Sequence, residues 1–415
     1  MKKMSKARFG GLAGALYAAS LLFLLFQGGK TSLMLFVMLN ALGLYLLLGR
    51  WSGIGNVQGT RALETGAEND AVIPAGSRLR LKLSIQVPGY WPLPYVIVRE
   101  RLARKSSQEL QNYELSFVPD YKRRGTLVYE TAPLKRGRYQ FRSTECSTRD
   151  IFGLFEHRGS FHEDQEIRVS PRTVNIRDWR FVRIARSGAA EQRAASSWTR
   201  ETTQIDGVRE YIHGDRMSRI HWNATARTGE WKSKEYEREA LPRLVIVLDR
   251  RAASYRTNEQ FELAVSVAAS LLDFAIRRNM PIGLVSAGAE RVVLGAGHKA
   301  LARGEAMDHL IDAEADGTSP CYEAIYEASE RFELGACLVM VTPETDDGSA
   351  KALAALASRR QAASHIRIAA SSSKGSPEEA GRLQSWSRMF QSRGWSFSNL
   401  SSLEELQQAL EVGSA

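Results

Sequence analysis

The sequence predicts a membrane-anchored, multidomain chain: a two-helix transmembrane hairpin, an antiparallel β-sandwich, and a doubly wound α/β domain built on a mainly parallel sheet. Three observations carry this reading. Two uncharged apolar runs stand at the N-terminus, residues 9–27 and 31–49. From about residue 77 the pattern alternates apolar and polar with the period of half-buried strands. From about residue 241 short apolar runs alternate with stretches of helical periodicity, as in successive β-α units.

Each apolar run is long enough to cross a hydrocarbon core as a helix. Only Gly28, Gly29 and Lys30 separate them, so both outer ends emerge on one side. Lys2, Lys3, Lys6 and Arg8 precede the first run and Arg50 follows the second, which by the positive-inside bias puts both ends, and the bulk of the chain, in the cytoplasm. A cleaved signal peptide fits less well, because the first run exceeds a typical signal core and a second follows at once. The domain boundaries expected are 1–51 for the N-terminus and two spans, 52–70 for a polar linker, 71–171 for the sandwich, 172–240 for a connecting segment, and 241–415 for the α/β domain.

In SRLRLKLSIQV, Leu79, Leu81, Leu83, Ile85 and Val87 fall on one face, with charged and polar residues on the other. PGYWPLP then punctuates the chain, and YVIVRERL, YELSFVP, GTLVYET, GRYQFRS and EIRVSP follow at the spacing of an immunoglobulin-like sandwich. Within it, RDIFGLFE at 149–156 places Phe152, Leu154 and Phe155 around Gly153 and reads as a packing wedge against a neighbouring domain.

Residues 208–229, VREYIHGDRMSRIHWNATARTG, combine glycine turns, both charge signs, aromatics and a histidine without an amphipathic repeat. Residues 172–251 hold 17 Lys and Arg against 11 Asp and Glu, so this segment supplies 6 of the net +10 charge. That balance, with a pI near 9.5, favours anionic partners, a membrane surface before nucleic acid, since regular aromatic interleaving is missing. Residues 186–204 read as a flexible excursion leading into this stretch. The candidate residues are Arg209, Glu210, Tyr211, Gly214, Asp215, Arg219, His221, Trp222, Thr225 and Arg227, and three readings compete.

In a hydrolase or transferase, His221 is the general base, oriented by Asp215 or Glu210, with Thr225 or a water as nucleophile and Arg219 or Arg227 stabilising an anion. No nucleophile-elbow or metalloprotease spacing supports it. In a binding surface, the arginines with Lys232 and Lys234 capture an acidic tail, a phosphate or a lipid headgroup. In an internal latch, Arg209 with Glu210 and Asp215 with Arg219 close a buried network over Tyr211, Ile220 and Trp222. Alternation at Ile220 and Trp222, and again from Trp231 to Tyr236, predicts β-hairpin-like segments around TARTG.

R-E-Y-x-x-G-D, R-x-I-H-W and A-R-T-G together resemble the signature of a bacterial membrane-anchored family catalogued as domain of unknown function 58. RDIFGLFE resembles its D-P-F-G-L-F motif, with Ile151 where Pro is usual. The resemblance implies a non-enzymatic adaptor acting with a MoxR-type AAA+ ATPase, beside a transglutaminase-like membrane protein, in envelope or protein-complex maturation.

LVIVLD at 244–249 reads as a fully buried parallel strand, followed by a helix through EQFELAVSVAASLLDFAIRRN. IGLVSA, RVVLGA, CLVMVT, HIRIAA and WSFSNL supply further strands, with RVVLGA an antiparallel edge. Helices are expected near 299–314, 319–333, 349–362, 376–392 and 402–411. An acidic residue ending the first strand, ahead of this order of elements, resembles the von Willebrand factor A fold, which implies a metal site of the form D-x-S-x-S. Here the run is Asp249, Arg250, Arg251, Ala252, Ala253. Asp249, Thr318 and Asp346 remain as candidate ligands, but two cations beside the carboxylate argue against a divalent ion, so no cofactor is expected. A nucleotide site lacks its Gly-rich loop. Cys146, Cys321 and Cys337 are too few and too scattered for a disulfide framework or a zinc site.

Overall fold

The architecture comes from a computed structural model that describes residues 6–64, 73–107, 109–183, 205–212, 217, 220–236, 243–295, 301–331, 336–358, 362–370 and 377–412. The class is mixed α/β, with antiparallel sheets in the first part and a mainly parallel sheet in the second. The chain divides at Val169 and Ser170 into two units.

The first unit begins with α1 (Lys6–Gln27) and α2 (Lys30–Leu48). Gly28 takes a positive φ of 43° at the turn, and the Ser32 hydroxyl binds Gly29 on both its N–H and its carbonyl. Tyr17 rests against Phe36 at 5.7 Å between ring centroids. Among the described residues one helix, α2, is long and apolar enough to cross a membrane, with a mean hydropathy of 2.0. Among the described residues α1 adds a shorter apolar stretch, Gly14–Gln27.

Ten strands follow: β1 (Gln58–Leu63), β2 (Ile73–Pro74), β3 (Arg80–Gln86), β4 (Val96–Arg104), β5 (Leu110–Phe117), β6 (Arg124–Glu130), β7 (Gly137–Phe141), β8 (Thr144–Arg149), β9 (Glu156–Phe161) and β10 (Glu166–Ser170). They form a three-stranded sheet β1-β3-β6 and a seven-stranded sheet β2-β10-β7-β4-β8-β9, with β5 on β4. Leu79, Leu81 and Tyr129 from the first share a core with Leu102, Tyr139, Phe141 and Ile167 from the second. The alternation of β3 is the cause: its apolar face is buried while its charged face is exposed.

The expected linker at 52–70 is a correction. Residues 58–63 are β1, paired with β3 from Gln58↔Gln86 to Leu63↔Leu81. Ile54 and Val57 sit in the core with Leu83 and Val96. The polar composition of this stretch conceals its burial, since Gly53 serves close backbone approach and Gly59 makes room for the Phe161 ring. A Cβ on Gly53, whose φ is 74°, would stand 1.6 Å from the Pro88 carbonyl oxygen.

In the second unit, β13 (Leu244–Asp249), β14 (Ile282–Ala287), β16 (Cys337–Thr342), β17 (Ala362–Ile368) and β18 (Ser396–Leu400) are parallel, and β15 (Arg291–Leu294) is an antiparallel edge, in the order β15-β14-β13-β16-β17-β18. Helices cover both faces. Leu244, Ile246 and Leu248 point to a core shared with residues of Asn258–Arg277, Arg303–Asp312 and Glu405–Val412. Val245 and Val247 point to a second core with residues of Cys321–Arg331, Asp347–Ser358 and Pro377–Ser392. Every residue of β13, β14 and β16 is buried, which is why these strands read as unbroken apolar runs.

Ile176, Trp179, Phe181 and Val182, assigned to a connecting segment by sequence, belong to the first of these cores, where Trp179 lies 6.1 Å from Phe274. The excursion expected at 186–204 lies outside the described residues.

Candidate functional site

Two strands frame the signature: β11 (Ile205–Glu210) and β12 (Lys232–Tyr236), antiparallel with Arg209↔Ser233 and Glu210↔Lys232 in register. Ile220 forms an isolated bridge to Ser233 and is fully buried. The residues around TARTG depart from the predicted hairpin pattern: Trp222–Thr228 is a helix, α3. Its cause is local capping. His221 stands at the N-cap, where Nδ1 accepts the Ala224 N–H at 3.0 Å, Arg227 lies in the last turn, and Gly229 closes the helix at a φ of 71°.

These contacts decide what the signature side chains can do. The His221 Nδ1 lone pair is directed at the Ala224 backbone N–H, and the His221 backbone N–H donates to the Lys232 carbonyl at 2.8 Å. The Thr225 hydroxyl accepts the Lys232 N–H at 3.0 Å. Lys232 reaches Glu230 at 3.3 Å and Glu210 at 3.5 Å, and the hydrogen bond to Glu230 raises its pKa. Arg209 donates to the Glu210 carbonyl. Gly214, Asp215 and Arg219, and with them one of the two candidate orienters of His221 and the Asp215–Arg219 pair of the latch, lie outside the described residues.

The aromatics contrast with the tied polar groups. Tyr211 lies 5.5 Å from Trp231 between ring centroids, and Trp231 lies 6.5 Å from Trp222. Trp222 keeps 62% of its surface exposed and Trp231 49%. Ile212 and Met217 are exposed as well. Trp231 was missed by motif reasoning. Its signal was spacing, since it opens the strand that returns to the motif.

A second polar centre sits at the carboxyl edge of the parallel sheet. Asp249 is fully buried. Its Oδ2 accepts the Thr342 hydroxyl at 2.6 Å, its Oδ1 the Arg251 N–H at 2.9 Å, and its backbone carbonyl the Tyr255 hydroxyl at 2.6 Å. Burial pushes the Asp249 carboxyl up to about 6, against the pull of the Thr342 and Arg251 hydrogen bonds. Arg250 pairs with Asp316 at 2.7 Å, and Arg251 with Glu344 at 3.2 Å. Asp346, one expected ligand, accepts the Ser349 N–H at 3.1 Å at the start of helix Asp347–Ser358, and Thr318 is exposed.

This donor set does not fit a hard divalent ion. Both carboxylate oxygens of Asp249 are engaged, guanidinium groups occupy the adjacent positions, and among the described residues no three His, Cys, Asp or Glu side chains converge. The threonine that meets Asp249 is Thr342, at the end of β16, and not Thr318. Beside it opens a cavity of about 450 Å³ lined by Arg251, Arg256, Glu344, Asp346, Arg367 and Arg382 among others.

Comparison with known proteins finds similarity to proteins described as of unknown function. A family described as "Protein of unknown function DUF58" matches residues 207–374, from β11 through β17. An uncharacterized protein of Bacillus subtilis (strain 168), YeaD, is similar at 25% identity over 309 residues, covering 74% of each chain. Among solved structures, proximal thread matrix protein 1 from the mussel byssus aligns at a TM-score of 0.30 and 11% identity, over 41% of this chain and 46% of that one. The CARDB domain of a Pyrococcus furiosus protein aligns at 0.18 and 14% identity, over 27% of this chain and 86% of that one. Scores this low carry no argument.

Proposed function

We propose that the chain is a non-enzymatic, membrane-tethered interaction protein, and that the signature is the surface by which it docks a protein partner. One observation carries this reading: His221 and Thr225 are tied to backbone groups while Trp222 and Trp231 stand exposed beside Tyr211. Aromatic side chains of this kind anchor protein interfaces, and surface tryptophans clustered without such a role are uncommon. The partner is a MoxR-type AAA+ ATPase, on the strength of the family resemblance, with a transglutaminase-like membrane protein as its neighbour in complex maturation.

The anchor in this reading is a two-pass hairpin of α1 and α2, with the soluble parts in the cytoplasm as the flanking Lys and Arg residues favour. The first unit is read as an immunoglobulin-like sandwich, and the second as a von Willebrand A-like domain in which Arg251 and Ala253 stand at the two serine positions of the metal motif. Support for the latter is the strand order, the helices on both faces, and an acidic residue ending the first strand.

The test uses the full-length chain in nanodiscs and a purified MoxR-type ATPase from the same bacterium. Binding is expected to weaken by tenfold or more, on the scale of about 1.4 kcal/mol, in Trp222→Ala and Trp231→Ala, with unchanged thermal stability. Equal binding by both variants would refute docking at the signature. No binding by the unaltered chain would refute the partner.

A further inference from the structure

The pairing registers bring four connections of the first unit to one end of its sheets. Gln58 pairs with Gln86, Gln86 with Arg124, Val96 with Phe117, and Arg149 with Glu156. The segments 49–57, 87–95, 118–123 and 150–155 therefore all lie at that end, and 49–57 is where α2 arrives. These segments carry exposed aromatic and aliphatic side chains: Trp51, Tyr90, Tyr121, Ile151 and Phe152, the last two 72% and 61% exposed. The 150–155 turn, read from sequence as a packing wedge, keeps Ile151, Phe152, Leu154 and Phe155 exposed. It is held rigid, because the Asp150 carboxylate accepts the N–H groups of Phe152, Leu154 and Phe155.

The turn also touches the helix. Phe152 packs edge-on against Tyr45 at 5.9 Å, the Ile151 N–H donates to the Tyr45 hydroxyl at 3.3 Å, and Trp91 lies 5.6 Å from the same ring. Tyr45 is three residues before the end of α2, so about 4.5 Å along the axis at ~1.5 Å per residue. The junction does not swivel freely. Arg123 donates to the Val87, Trp91 and Ser52 carbonyls, binding three of the four segments together. Gly53 and Gly159 let the exit segment press against Pro88 and β9 at backbone distance.

We infer that this end of the first unit is a membrane-interface platform, its exposed tyrosines, tryptophan and the 150–155 turn seated in the headgroup and upper acyl region of the bilayer. The inference rests on the reading that α2 spans the membrane. Given that span, the Tyr45 contacts fix the depth of the turn at the exit level of the helix, and aromatic side chains with one wet end favour that depth. The occupant is lipid, because the platform is continuous with the helix that enters it. The platform also sets how the protein is carried: the first unit rests on the bilayer instead of hanging from a free tether.

The test is depth measurement by nitroxide accessibility on the full-length chain in phosphatidylethanolamine and phosphatidylglycerol nanodiscs. Labels are placed singly at Leu154→Cys and Tyr121→Cys, at Met38→Cys within α2, and at Ser106→Cys on the β4–β5 turn at the opposite end of the sheet. Cys146, Cys321 and Cys337 are buried, which directs the label to the introduced thiols. The expected result is oxygen accessibility, relative to a water-soluble nickel chelate, highest at 38, severalfold above the 106 reference at 154 and 121, and lowest at 106. If 38 lies in hydrocarbon while 154 and 121 are as aqueous as 106, the platform is overturned and the anchor stands. If 38 is aqueous, the anchor falls and the platform with it.

Discussion

The guanidinium of Arg61 donates to Oε1 of Glu100 at 2.5 Å, with both side chains almost wholly removed from solvent. Arg61 stacks on Phe141 at 3.7 Å, and Glu100 also accepts the hydroxyls of Thr144 and Tyr129. Proximity to the Glu100 carboxylate adds to burial in raising the Tyr129 phenol. A buried pair of this kind joins β1 to β4 across the two sheets.

Breaking such a pair leaves an uncompensated buried charge. Arg61→Met is expected to destabilise the first unit by about 3–5 kcal/mol. Arg61→Met combined with Glu100→Gln should recover part of that loss, since the remaining buried group is then neutral and still meets Thr144 and Tyr129. Urea unfolding of the detergent-solubilised chain, followed as a double-mutant cycle, measures both. Additive losses would mean that the two residues act independently.

Arg61 also shows where sequence reading ends. QGTRAL is small, polar and glycine-bearing, and burial of its arginine depends on a glutamate 39 positions away that no local pattern announces. β13 is the opposite case. LVIVLD is apolar at five successive positions because both faces are covered, so its bounds were legible to the residue. α3 was hidden for a third reason: threonines and a tryptophan favour strand, and a histidine cap outweighs them locally. The exposed tryptophans of the signature were visible as residues, but their exposure belongs to tertiary structure.

Trp386 donates its indole N–H to His365 Nδ1 at 2.9 Å, which leaves Nε2 to donate to the Thr342 carbonyl. Burial holds this imidazole down at about 3, from an ordinary 6.5. A neutral buried histidine contributes stability that is full above about pH 6.5 and is lost as pH falls toward 3. Asp249 works in the other direction. Its carboxyl, raised from 3.8 to about 6, favours the fold most below 3.8 and loses that contribution as pH rises through 6. Between pH 4 and 6 the two slopes oppose each other. Asp249→Asn keeps an oxygen for Thr342 but removes one slope, at about 1.4 kcal/mol per pH unit. Melts of the variant should therefore lose about 2–3 kcal/mol more than the unaltered chain between pH 6 and pH 4. Parallel pH profiles would show that Asp249 does not titrate in this window.

The cap on α3 separates a structural histidine from a catalytic one. His221→Asn can keep an acceptor at the N-cap, whereas His221→Ala cannot and should lose about 1 kcal/mol locally. Hydrogen exchange at the Ala224 amide is expected to speed up in the alanine variant and stay near the original rate in the asparagine variant. Partner binding should follow the same order. Loss of function in both variants, with slow exchange retained in His221→Asn, would restore His221 to a chemical role.

The junction beneath α2 can be loosened without touching the helix. Gly159 lies in β9, where an added Cβ would stand 1.8 Å from the Ile54 carbonyl oxygen. Neither atom is the far end of a flexible side chain, so Gly159→Ala must push the exit segment away from the sheet. The cost is expected at about 2–3 kcal/mol, within the range of backbone clashes in a packed region. A larger consequence is geometric. With 49–57 displaced, Tyr45 and Phe152 lose their fixed separation, and the fluorescence of Trp51 should shift to longer wavelength and quench more readily with aqueous iodide in lipid nanodiscs. Assignment of that signal needs a chain in which the other tryptophans are replaced by phenylalanine. A variant that melts lower yet leaves Trp51 equally shielded would place the strain in β9 alone and separate the packing of the sheet from the seating of the helix exit.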